Sequence, residues 1–297
     1  MPDPALGAPS SFLDRAVADA REDADRRAAR LPLGAVKESA ATASPPRGFR
    51  AALSRPGMAL IAEVKRRSPS KGDIRADLDP AGLARAYQRG GAAAISVLTE
   101  RRHFSGSPDD LRATRTATDL PVLRKDFITT PYQLCEARAW GADAVLLIVA
   151  ALDPEQLASL LAEAALAGLD ALVEVHTRAE AETAAAAGAT LIGINARDLT
   201  TLTVDPRRFA AVRGTLPADG VTVVAESGIH DRNGVLAAAA AGADAVLVGE
   251  SLVRADDPAA AAAALLGRIP PTATPTPSHQ VAPQGDGAAA PIGGHDG

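Results

Sequence analysis

The sequence predicts an α/β fold, a (β/α)8 TIM barrel with an extra N-terminal helix and a disordered C-terminal tail. Three observations predict it. A unit of helix, glycine turn and short apolar strand recurs eight times within about 210 residues. The strands read as continuous apolar runs, as parallel strands covered on both faces do. The chain is 47% hydrophobic but only 3% aromatic, which suits an aliphatic sheet wrapped by alanine-rich helices. No G-x-G-x-x-G follows the first strand, which weakens the alternative of an open dinucleotide-binding sheet.

Residues 1–9 are expected to be disordered. Ser11 is placed to cap a helix, with Asp14 three residues on and Phe12, Leu13 and Val17 forming an apolar stripe. That helix runs from Ser11 to about Arg30. Pro32, Gly34, Pro45, Pro46 and Gly48 mark residues 31–48 as a linker. The expected divisions are therefore 1–48, N-terminal helix and linker; 49–269, barrel; and 270–297, tail. Within the barrel, strands are expected at 58–65, 93–98, 121–125, 144–149, 171–176, 190–195, 221–226 and 244–249. Helices fit at 79–89, 107–118, 131–140, 154–167, 177–187, 205–213, 231–241 and 257–267. Glycine at the end of a helix accepts the left-handed conformation that stops it, as in Gly141-Ala142-Asp143 and Gly242-Ala243-Asp244. After Ile269 the chain turns rich in Pro, Thr, Gly and Ala and lacks core-forming residues.

A formal net charge of −5, from 31 basic and 36 acidic residues, argues against nonspecific nucleic-acid binding. Any anion site must be local. The single Cys135 precludes an internal disulfide and suits a reducing cytoplasm. It reads as an ordinary buried thiol on a helix. No stretch has the composition of a signal peptide, and none reaches the ~18 uncharged apolar residues of a membrane span. A cytoplasmic protein is expected, acting as a monomer or weak homo-oligomer.

Met58–Asp73, MALIAEVKRRSPSKGD, concentrates the chemistry. Glu63 and Lys65 end an otherwise apolar strand, and strand alternation puts them on one face. Burying charges costs several kcal/mol unless they are paired or used. Lys125 ends the third strand, Glu174 the fifth and Glu226 the seventh, all odd-numbered like the first. Alternate strands share an interior layer in such a barrel. Three carboxylates and two ammonium groups therefore point at one small volume, and Asn195 joins them from the sixth strand. Mixed charges at one barrel mouth suit acid–base catalysis better than a structural ion pair.

The last two units carry a second signal. Glu226-Ser227-Gly228 and Gly249-Glu250 each place glycine just past a strand, where backbone N–H groups can meet an oxyanion. Loops seven and eight form the usual phosphate site of these barrels. His103, in the second loop, is read as a substrate contact, a lid residue or loop filler. His176 follows the fifth strand next to Glu174 and is not assigned a catalytic role. No His/Cys/Asp spacing suggests a metal site, so no metal or cofactor is expected. Trp140 reads as packing.

These segments resemble the indole-3-glycerol phosphate synthase family of tryptophan biosynthesis. The matching text is IAEVKRRSPSKG at 61–72, SVLTERRHFSG at 96–106 and LRKDFITTPYQLCEARAWGADAVLLI at 123–148. It continues with LVEVHT at 172–177, IGINARDLTT at 192–201, AESGI at 225–229 and LVGESL at 247–252. The resemblance implies conversion of 1-(2-carboxyphenylamino)-1-deoxyribulose 5-phosphate to indole-3-glycerol phosphate, CO2 and water, without metal or cofactor. It implies Lys125 as general acid, Glu174 as general base, and Lys65 as partner of the substrate carboxylate. Glu63 and Asn195 would orient and polarise the reacting groups. Phe127 would line an aromatic pocket with Ser68 nearby, and Arg197 and Glu226 would contact substrate. Ser227, Gly228, Gly249 and Glu250 would hold phosphate. The family often has Tyr at the position of Val64, whose side chain points away from the Glu63/Lys65 face. Rival readings are phosphoribosylanthranilate isomerase, which uses a Cys/Asp pair, a phosphopentose epimerase, which needs metal-ligating histidines, and a non-catalytic phosphate-ligand binding barrel.

Overall fold

A computed structural model describes residues 11–268, and its eight parallel strands close on themselves. The disorder expected at 1–9 and 270–297 lies outside the described residues. The barrel strands are β1 (Ala59–Val64), β2 (Ala94–Leu98), β3 (Val122–Lys125), β4 (Ala144–Ile148), β5 (Asp170–Val175), β6 (Leu191–Asn195), β7 (Thr222–Glu226) and β8 (Ala245–Val248). Closure comes from β1, where Ile61 pairs with Leu247 on one side and Ala94 on the other.

Alternation along each strand builds two cores. Ala59, Ile61, Leu123, Leu172, Val224 and Leu247 fill the barrel. Leu60, Ala62 and Val64 face outward to a larger cluster that includes Leu83 and Tyr87. Burying one such aliphatic side chain is worth about 1.5–3 kcal/mol. Val64 therefore belongs to the outer core, on the face opposite Glu63.

Proline and capping residues set where the outer helices begin. Asp79 caps α4 (Pro80–Arg89), and Ser107 caps α5 (Pro108–Ala117). Thr130 with Gln133, and Asp153 with Gln156, form capping boxes on α6 (Pro131–Ala139) and α7 (Pro154–Leu166). α8 (Arg178–Ala186), α9 (Arg208–Arg213), α10 (Arg232–Ala240), α11 (Glu250–Val253) and α12 (Pro258–Leu265) complete the ring. α9 has 6 residues and begins at Arg208, three residues later than expected.

Ahead of the barrel, Ser11 and Asp14 form the expected capping box on α1 (Phe12–Arg30). Residues 31–48 are not all linker: α2 (Leu33–Thr42) spans 10 of them. Pro32 and Gly34 suggest a break, but both fall at the helix start, where proline's missing N–H costs nothing. Val36 is 1% exposed and anchors α2, which packs on α6. α3 (Phe49–Leu53) puts Phe49 and Leu53 into the inner core. Among the described residues, no helix is long and apolar enough to cross a membrane.

The two barrel ends divide their work. At the N-terminal end, Asp143 accepts the N–H groups of Arg47 and Val122 and pairs with Arg115 at 2.6 Å. Asp170 and Asp244 accept the N–H groups of Arg50 and Val223. Those aspartates stitch the fold, as that end of a barrel does. The strand-end lysines and glutamates lie at the other end.

Candidate active site

Lys125 is the hub. It ends β3, and its Nζ lies 3.2 Å from Glu174 Oε2 on β5 and 2.9 Å from Glu226 Oε2 on β7. Both carboxylates are 2% exposed. Register explains the convergence: Glu174 pairs with Gly193, and Asn195 on the same strand pairs with Glu226. Gly193 leaves open the space into which Glu226 folds, because a Cβ there would run into Glu226 Oε1. That oxygen is buried, with no hydrogen-bond partner among the described residues. Asn195 Oδ1 accepts bonds from Ser227 Oγ at 2.7 Å and the Arg197 N–H at 3.0 Å, leaving its NH2 to reach Glu174.

Two carboxylates share one ammonium, and their environments drive them apart. Burial alone would lower Lys125, but Glu226, Glu174 and Glu63 outweigh it and hold the lysine well above its ordinary value. Burial would raise Glu174, yet Lys125 and His176 hold it well below the carboxylate range. Burial pushes Glu226 up, Lys125 draws it back, and adjacent Glu174 adds to the rise, leaving it at about 7. Pairs of groups pushed apart in this way mark acid–base sites.

Glu63 and Lys65 do share a face, and they pair directly at 2.5 Å. Gly249, after β8, packs against this pair: a Cβ there would meet Glu63 Oε1 and come within 3.1 Å of Lys65 Nζ. Next to them a short hairpin, Arg67–Ser68 against Gly72–Asp73, carries the β1 loop. Ser68 is buried, and its Oγ has no hydrogen-bond partner among the described residues.

One cleft takes in all thirteen residues singled out in the sequence, including Phe127, Arg197, Ser227, Gly228 and Glu250. Its apolar wall has Phe127 with Phe12 and Phe104, each 6.3 Å away between ring centroids. Ser227 adopts φ +65° and Gly228 φ +78°, consecutive left-handed residues that turn the β7 loop into the cleft. The left-handed conformation is costly for serine, and the bond from its hydroxyl to Asn195 helps hold it there. Arg197 Nη1 donates to the Leu202 carbonyl at 2.8 Å and lines the same cleft.

Sequence patterning overlooked several participants. Phe12 comes from α1, outside the repeat, and only folding brings it to the cleft. Glu100 accepts the N–H groups of Arg102, His103 and Phe104, fixing the loop that carries Phe104. His103 turns to α1, with Nε2 2.9 Å from Asp19, and does not line the cleft. Trp140 packs under the fully buried Arg124 guanidinium, 4.1 Å from its ring. Cys135 is half-buried rather than buried, on α6 and outside the cleft, where the isomerase rival's thiol has no role. Among the described residues, no His, Cys, Asp and Glu side chains are grouped to hold a metal ion.

Residues 13–265 match the family pattern described as indole-3-glycerol phosphate synthase. The chain is 54% identical over 258 residues to a protein of that name from Mycobacterium ulcerans, covering 87% of this chain and 94% of the relative. Its counterpart from Mycolicibacterium smegmatis is 54% identical over 257 residues, covering 86% and 94%. The barrel also superposes on a thiamine phosphate pyrophosphorylase from Pyrococcus furiosus, with TM-score 0.53 and 19% identity over 70% of this chain and 93% of that one. That likeness is one of fold alone.

Proposed function

We infer the role of each residue from one premise: the chain belongs to the indole-3-glycerol phosphate synthase family. It converts 1-(2-carboxyphenylamino)-1-deoxyribulose 5-phosphate to indole-3-glycerol phosphate in tryptophan biosynthesis. The reaction forms one carbon–carbon bond and releases CO2 and water. The observation that carries the assignment of roles is the Lys125–Glu174–Glu226 cluster, set between an aromatic wall and two glycine loops.

The aryl carbon bearing the carboxylate attacks the ribulose carbonyl carbon, and the carbonyl oxygen takes a proton. Lys125 supplies it: of three ammonium N–H groups, two face Glu174 and Glu226, leaving one for substrate. Burial alone would lower its pKa, but the surrounding carboxylates outweigh that. Lys125 enters the reaction charged, and the developing alkoxide draws the proton. The aryl–carboxylate bond then breaks, CO2 leaves, and its electrons restore the aromatic ring. Lys65, held by Glu63, pairs with that carboxylate. Finally the new hydroxyl leaves as water while the adjacent ring CH2 gives up a proton, which forms the ring double bond of the indole and leaves the nitrogen its N–H. Glu174 is the base the resemblance implies, and Glu226, which titrates near neutrality, is its partner in the exchange. Asn195 polarises the reacting groups.

Phe127 and its neighbours receive the aryl group. Ser68, whose hydroxyl has no hydrogen-bond partner among the described residues, and Arg197 contact the polar substrate atoms. Ser227, Gly228, Gly249 and Glu250 hold the phosphate. Residues 49–269 form the catalytic unit, and 1–48 an extension that contributes Phe12. The protein works in the cytoplasm as a monomer or weak homo-oligomer. The test is direct: the purified protein is mixed with the carboxyphenylamino substrate, and indole fluorescence is followed. Growth of the signal with CO2 release supports the assignment. Binding without turnover would leave a phosphate-ligand barrel.

A further inference from the structure

His176 lies one residue beyond β5, 8% exposed and absent from the cleft lining. Each ring nitrogen faces a carboxylate. Nδ1 is 3.1 Å from Glu180 Oε2, and Nε2 is 3.4 Å from Glu174 Oε1. Carboxylates only accept, so an imidazole between two of them carries a proton on both nitrogens. The Nε2 contact is long for a hydrogen bond and acts as an ion pair; that buried nitrogen has no hydrogen-bond partner among the described residues. Glu180 is fixed independently of substrate. It sits in the first turn of α8, its N–H bonds Thr177 Oγ at 3.1 Å, and its Oε2 also accepts the His176 N–H at 2.7 Å.

We propose that His176 and Glu180 form a positioning dyad behind the reacting groups: Glu180 fixes the imidazole, and the imidazole holds Glu174 Oε1 so that Oε2 stays on Lys125. Neither residue touches substrate. The dyad rests on the assignment of Glu174 to the acid–base machinery. The groups facing Glu174 are His176 beyond its own strand, Lys125 on β3, Glu226 on β7 and Asn195 on β6. Those facing His176 are Glu174 and, from α8, Glu180. With a cation at each oxygen, Glu174 stays ionised and aimed. Without the imidazolium, it takes up a proton at higher pH and is free to rotate.

The test measures kcat and KM against pH for His176→Gln, Glu180→Gln and the double variant. His176→Gln should lower kcat about 10-fold, the scale of one charge-assisted contact, with KM within about 2-fold and the acidic limb of kcat moved to higher pH. Glu180→Gln should do the same to a smaller extent, because the amide oxygen still accepts the His176 N–H. The double variant should match His176→Gln alone, since Glu180 acts only through the ring. A wild-type kcat and pH profile in either single variant, or losses that multiply in the double, overturns the dyad. If His176→Gln does not fold, Glu180→Gln decides alone by the same criteria. Failure of the underlying assignment looks different: the wild-type chain itself would form no indole product, and the dyad would fall with it.

Discussion

Gly193 and Glu226 occupy one space between them: the carboxylate oxygen of Glu226 lies where a side chain on Gly193 would begin. The glycine keeps an ordinary strand conformation, so backbone freedom is not its purpose. Gly193→Ala should therefore leave the strand intact and push Glu226 off Lys125. A kcat loss of about 10-fold or more is expected, matching the loss of one charged contact. The melting temperature should fall by only a few degrees, in keeping with overpacking of about 1–3 kcal/mol. Unaltered kcat in Gly193→Ala would mean that the position of Glu226 is immaterial.

The two lysines should separate kinetically. Lys125→Met removes the proposed proton donor, and kcat should drop about 10²-fold or more with KM little changed. It also strands Glu174 and Glu226, so the folded fraction must be checked by circular dichroism alongside. Lys65→Met should raise KM as well, because the substrate carboxylate is already present in the ground state. Weaker binding with near-normal kcat in Lys125→Met would exchange the two roles.

The two glycines proposed to hold phosphate are not equivalent. Gly228 has open space except for Val204, so Gly228→Val should act mainly on KM, through the phosphate and the strained φ +78°. Gly249 abuts Glu63 and Lys65, so Gly249→Ala should disturb the pair and lower kcat too. A pure KM effect in both variants would rule out contact between the β8 loop and the charged pair.

Glu226 should govern the neutral limb of the pH profile. Its carboxyl titrates at about 7 in the folded chain, raised from 4.5. The folded state thus holds a proton that the unfolded chain has released, and stability from this group falls as pH rises from 4.5 through about 7. Glu226→Gln cannot titrate. It should remove the inflection near 7 from kcat/KM and flatten the melting temperature over that window. An inflection retained in Glu226→Gln assigns it to another group.

His176 has the opposite environment. Two carboxylates lift it from 6.5 to about 10. Its contribution to stability is whole below 6.5 and disappears as pH climbs through about 10. The melting difference between wild type and His176→Gln should be widest below 6.5 and shrink steadily above it. A difference independent of pH would mean that the ring only fills space.

Periodicity alone determined the barrel, because every βα unit must bury an apolar strand beneath a helix and says so in its own residues. It also marked one end of the barrel: Glu63, Lys65, Lys125, Glu174 and Glu226 are charges at the ends of apolar runs, a pattern that burial forbids unless the charges meet. Only the tertiary structure decided who meets whom. Lys125 chose Glu174 and Glu226, while Lys65 kept Glu63, because strand register sets distances that spacing along the chain cannot. α2 escaped notice because its proline and glycine stand at the helix start, where they do no harm. Phe12 and His176 escaped for a different reason. One comes from a helix outside the repeat, and the other follows a strand with nothing in the sequence to show what its ring faces. Each acquires its part from a neighbour on another element, Phe127 and Glu180, and such a neighbour exists only once the barrel has closed.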